Sequence, residues 1–67
     1  MRIGIIGQGF VGTAIREGLR NHYDVQGYDI RPDRCYNMEH VGHVNDRLRT
    51  LVDENDIIFV CVPTPMR

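Results

Sequence analysis

The stretch Met1–Gly12, MRIGIIGQGFVG, decides how the rest of the chain is read. It opens on a short apolar run, Ile3 to Ile6. It then breaks into Gly7-Gln8-Gly9-Phe10-Val11-Gly12, which fits the spacing G-x-G-x-x-G. Each glycine in that spacing has its own task. Gly7 lets the chain leave a strand in a tight turn. Gly9 lacks a Cβ, so a pyrophosphate can approach the backbone. Gly12 lets the following helix pack hard against the strand. The unpaired N–H groups at that helix start, with the positive end of the helix dipole, then face the phosphates.

Glycines in any turn can satisfy this spacing, so its context matters. Here a strand-like run precedes it and a helical pattern follows. An acidic residue, Asp29, stands about 20 residues on, where such a site places a ribose acceptor. The competing reading is a glycine-rich strand-to-helix turn with no ligand.

Length limits what can surround this turn. With 67 residues the chain holds one small domain. Its core is marginal at that size. A full dinucleotide fold has two βαβαβ halves, and only one fits. The expectation is a fragment, a shortened product, or a half-fold completed by a partner. The formal net charge of −1 gives no electrostatic reason to bind nucleic acid or an anionic membrane. All 8 basic residues are arginine, which excludes chemistry needing a lysine amine from this chain. No run approaches the roughly 20 apolar residues of a membrane span, and the N-terminus lacks a secretory core. Cys35 and Cys61 make no disulfide framework, so a reduced, cytoplasmic setting is expected.

Ile3, Ile5 and Ile6 read as a strand buried on both faces, as in a parallel sheet covered by helices. Val11 to about His22 follows with helical spacing at Val11, Ala14, Ile15, Gly18, Leu19 and His22. Asn21-His22 offers a left-handed helix end. Asp24–Ile30 reads as the second strand, placing Asp29 at its carboxyl end. Arg31–Val44 is obscure. Pro32 suits a first helical turn, with Cys35, Tyr36 and Met38 partly buried. His40 and His43 have the spacing of a metal pair, but no Cys/His cluster supports them, and a surface pair is the better reading. Asn45-Asp46 offers an N-cap for a helix to about Asp53. Its apolar stripe is Leu48, Leu51 and Val52, with Arg47 and Arg49 facing solvent. Ile57–Val62 is the strongest strand, ended by Pro63-Thr64-Pro65. The expected fold class is α/β: half of a Rossmann doubly wound fold, with a three-stranded parallel sheet in the order 3-2-1 and flanking helices. Residues 1–67 are expected to form a single truncated NAD(P)-binding domain.

Two of these pieces together resemble a known family. IGIIGQGFVGTAI resembles the opening of UDP-glucose/GDP-mannose dehydrogenases, where a Gly-x-Gly-(Tyr/Phe)-Val-Gly turn is typical. NDIIFVCVPTP resembles that family's third strand and Val-Pro-Thr-Pro loop, and Gly27-Tyr28-Asp29 fits its second strand. The gap is Arg31–Val44, where relatives are usually longer. The resemblance implies NAD as cofactor. Gly7, Gly9, Phe10, Val11 and Gly12 would line the pyrophosphate turn. Asp29 would hold the adenosine ribose, with Arg31 or Arg34 flanking the adenine, and Pro63 and Thr64 would lie near the dinucleotide.

That family oxidises a sugar alcohol with a cysteine nucleophile and lysine and asparagine assistants drawn from regions well beyond this length. Neither Cys35 nor Cys61 fits its motif, so no catalytic residue is assigned. The expected function is therefore a module holding the ADP-ribose side of NAD. The alternatives are a piece or subunit of an active nucleotide-sugar oxidoreductase, and a structural remnant without a ligand. In the order 3-2-1, Ile3–Ile6 becomes an unprotected edge, so a homo-oligomer is also expected.

Overall fold

The computed structural model describes residues 1–61. Its elements are β1 (Arg2–Ile6), α1 (Phe10–Leu19), β2 (Asp24–Tyr28), α2 (Arg47–Glu54) and β3 (Ile57–Val60). Single 3₁₀ turns lie at Pro32–Arg34 and Val44–Asp46. The sheet is parallel throughout. The fold is the expected half of a doubly wound α/β sheet, with one correction to the strand order.

That order is β2-β1-β3, not 3-2-1. β1 is central, flanked by β2 in the register Ile3↔Val25 and by β3 in the register Ile3↔Ile57. The cause lies in the helices. Side chains alternate across a strand, so Ile3 and Ile5 share one face with Val25. Ile15 and Leu19 of α1 pack there. Gly4 faces the other way, and a Cβ on it would come within 2.7 Å of Leu51 Cδ2 in α2. The helices thus cover opposite faces. Right-handed crossovers place successive helices on opposite faces only when the winding reverses direction. After β2 the chain therefore turns back past β1.

The expectation that Ile3–Ile6 forms an edge falls with this order. Among the described residues β3 is an edge instead, and it is only partly covered: Val60 is 65% exposed.

In the 31–44 segment Pro32 opens a single 3₁₀ turn, as its place in a first helical turn suggested, and no α-helix forms. The segment runs along the outer side of β2, where Gly27 and Tyr36 exchange two backbone hydrogen bonds of 2.9 Å in an antiparallel bridge. Met38 is buried beyond it, and Asn37 takes the left-handed conformation (φ 58°) while donating its side-chain amide to Val25 O.

Helix α1 ends at Leu19, earlier than expected. The Leu19 carbonyl accepts from both His22 and Tyr23, closing the turn without a left-handed residue at Asn21. Asp46 precedes α2 but makes no side-chain cap. Of the stripe on α2, only Leu51 is buried, while Leu48 and Val52 stay largely exposed. Arg47 does not face solvent fully. Its guanidinium turns back to donate to Pro32 O at 3.3 Å.

Candidate dinucleotide site

The carboxyl ends of β1 and β2 and the start of α1 meet at one end of the sheet. β1 and β3 meet where the winding reverses, and ligands of open α/β sheets bind at that point. Gly7 carries φ +97°, which side chains rarely adopt, and its N–H donates to Tyr28 O at 2.7 Å. The turn is thus closed against β2. A Cβ on Gly12 would overlap the Gly7 carbonyl oxygen, so the helix seats directly on the turn. A Cβ on Gly9 would meet nothing within 4 Å. That emptiness is the space a bound phosphate needs.

Helix α1 begins at Phe10, with Gly9 as its uncapped N-cap and no acidic residue in its first turn. The first intrahelical bond runs from Thr13 N to Gly9 O at 3.0 Å. The N–H groups from Gly9 to Gly12 therefore precede the hydrogen-bond ladder. They supply donors, and the helix dipole favours an anion there. Phe10 and Val11 project outward, 96% and 61% exposed. A cleft of about 410 Å³ opens beside them, walled by Gln8, Gly9, Thr13, Glu17 and Arg34 among others.

Asp29 follows β2 directly. Its Oδ2 accepts from Gln8 N at 2.8 Å and its Oδ1 accepts from Arg31 N at 2.9 Å. The Arg31 N–H is the main cause holding this carboxyl below its ordinary value. Burial opposes the lowering, while the Gln8 N–H and the charges of Arg34 and Arg31 reinforce it. A carboxylate oxygen has two acceptor positions, so each still has one for a ribose hydroxyl.

The structure thus brings Gly7, Gly9, Phe10, Val11, Gly12, Asp29 and the Arg31 backbone to one place. It puts Arg34, rather than Arg31, on the cleft wall. Pro63 and Thr64 lie outside the described residues. Sequence reasoning missed Gln8 as a structural member of the turn. It is only 4% exposed, a burial that a polar residue in a glycine turn does not announce. His40 does not pair with His43. Its Nε2 lies 3.3 Å from Glu54 Oε1, and no group of three potential metal ligands occurs among the described residues. No helix there is long and apolar enough to cross a membrane.

The sequence profile of the family described as NADP oxidoreductase, coenzyme F420-dependent, matches residues 2–66. The chain belongs to that family. The match spans the glycine turn, Asp29 and β3, and it makes this an NAD(P)-binding oxidoreductase domain. It does not single out the nucleotide-sugar dehydrogenases that both ends of the chain resemble. No curated protein and no solved structure matches the chain.

Proposed function

We propose that the protein binds the ADP-ribose portion of a nicotinamide dinucleotide and prefers NAD. The observation that carries this reading is the fixed pairing of Gln8 N–H with Asp29 beside the open Gly9. It supports a phosphate position and a ribose acceptor on one rigid unit. The preference follows from charge. Asp29 stays anionic and would repel a 2′-phosphate, whereas a ribose hydroxyl donates to it. Arg34 and Arg31 weaken that repulsion without removing the carboxylate.

Calorimetric titration with ADP-ribose, NAD and NADP tests the reading. ADP-ribose should bind within about tenfold of NAD, a difference of roughly 1.4 kcal/mol or less. Binding of none of the three would leave a structural remnant. NADP binding as tight as NAD would overturn the preference.

A second, finer reading is favoured by the ending Val62-Pro63-Thr64-Pro65 and by Gly27-Tyr28-Asp29. Under it the chain is part of, or a subunit of, an NAD-dependent nucleotide-sugar 6-dehydrogenase. On that reading this chain alone forms no NADH with UDP-glucose, because hydride transfer needs the sugar held against the nicotinamide. NADH formation by the pure chain would overturn that expectation of inactivity.

A further inference from the structure

The geometry points to Arg16 as a positioning residue that sets the dinucleotide turn from behind, through Gln8. Arg16 lies in the last turn of α1, with its side chain only 20% exposed. Three partners hold its guanidinium in different directions. Nη1 donates to Gln8 Oε1 at 3.2 Å, Nε donates to Glu17 Oε2 at 3.1 Å, and Cζ sits 4.6 Å from the centroid of the Tyr36 ring. A planar guanidinium suits this arrangement, since it donates in its plane and stacks on its face.

Gln8 passes the constraint on. Its side-chain amide donates to Gly7 O at 3.3 Å and lies over Gly27, where a Cβ would come within 2.6 Å of its Cδ. The Gln8 carbonyl accepts from Thr13 Oγ1 at 3.1 Å, and its N–H reaches Asp29. Tyr36 is itself fixed by its two backbone bonds to Gly27. Arg16 therefore joins α1, the turn, β2 and the 31–44 segment. It lines neither the cleft nor the ribose position, so it acts on groups that do.

This inference rests on the reading that the turn holds a dinucleotide, and its test separates the two. Arg16→Met keeps the apolar stem and removes the donors. Arg16→Lys keeps the charge but replaces the planar fork with a single donor nitrogen. Arg20→Met removes the same charge just past the end of that helix as a control. For each folded variant, the titration of the Asp29 carboxyl is followed by NMR and ADP-ribose affinity by calorimetry. Arg16→Met should move the Asp29 titration to higher pH and weaken ADP-ribose about fivefold, the order expected for one lost hydrogen bond. Arg16→Lys should recover part of both, and Arg20→Met should change neither. An unmoved titration and affinity in folded Arg16→Met overturns the role of Arg16. If that variant does not fold, Arg16→Gln, which keeps part of the stem and removes the guanidinium while leaving Gln8 intact, decides in the same way. A wild-type protein that fails to bind ADP-ribose defeats the dinucleotide reading, and the Asp29 titration still decides the role of Arg16.

Discussion

Gln8 and Asp29, 21 residues apart, are joined by a hydrogen bond of 2.8 Å from the Gln8 backbone N–H to a carboxylate oxygen. The bond ties the glycine turn after β1 to the end of β2. On the proposed reading the same carboxylate has a second task, since it would also accept from a ribose hydroxyl. Recognition and local stability should therefore change together at this residue.

Asp29→Ala tests that coupling. The Gln8 and Arg31 N–H groups both lose their acceptor. The exposed Arg31 N–H can turn to water, but Gln8 is buried and its N–H is left without an acceptor, so destabilisation of about 1–3 kcal/mol is expected. ADP-ribose affinity should fall about tenfold or more, because a charge-assisted bond is lost with the geometry. Thermal unfolding and calorimetry on the same sample check both. Lost affinity with unchanged stability would mean the turn does not depend on the carboxylate.

The same residue sets an acid dependence. Asp29 is held below its ordinary value of 3.8, chiefly by the Arg31 N–H. Glu54 is held below 4.5, chiefly by the Gln26 amide and then by His40. In both cases the unfolded chain takes up protons more readily than the folded one. Their contribution is thus complete above the ordinary carboxylate range and is lost as pH falls through the lowered folded-state values. Unfolding temperature should be flat near neutrality and drop below about pH 5. Asp29→Asn should make that drop shallower; an unchanged acid limb would show that Asp29 contributes nothing to it.

The glycines separate stability from binding. Gly12→Ala forces a methyl into the Gly7 carbonyl, a backbone group that cannot swing away. A cost of about 1–3 kcal/mol is expected, as for overpacking elsewhere. Gly9 has φ −78° and open space at its Cβ position. Gly9→Ala should leave stability within about 0.5 kcal/mol of wild type, as at permissive surface sites, while weakening ADP-ribose. Chemical denaturation paired with titration distinguishes the two. Equal destabilisation by both would show that Gly9 is also packed.

These contrasts show what the sequence made legible. The spacing of Gly7, Gly9 and Gly12 carries information about backbone approach, and their surroundings follow it closely. Asp29 was legible for the same reason, as an acidic residue at a fixed distance from a recognisable turn. Strand order was not. The apolar run at Ile57 specifies a strand but not its neighbour; that depended on which face of the sheet α2 would cover. Gly4 and Gln26 hold that information, since Gly4 receives Leu51 and Gln26 bonds Glu54 and Asn55. Only the folded pairing shows them facing α2. The Arg16–Tyr36 stack was hidden because the 31–44 segment has no periodicity to place it.

With β1 central, self-association is expected through β3. Ile57 and Phe59 are 42% and 39% exposed on the α1 side, and Val60 is 65% exposed on the α2 side. The strand Ile57–Val60 carries no charge or proline to protect its edge. Among the described residues no strand pairs with its outer side. Two copies related by a two-fold axis would pair these edges antiparallel and extend the sheet, burying the apolar residues on both faces. A dimer at micromolar concentration is therefore expected by light scattering. Val60→Glu should shift it toward monomer, because the side chain is exposed enough for a charge to leave the core of β1 and β2 undisturbed. A wild-type monomer under those conditions removes the proposal. A dimer unaffected by Val60→Glu would place the contact elsewhere, for example on the exposed stripe of Leu48 and Val52.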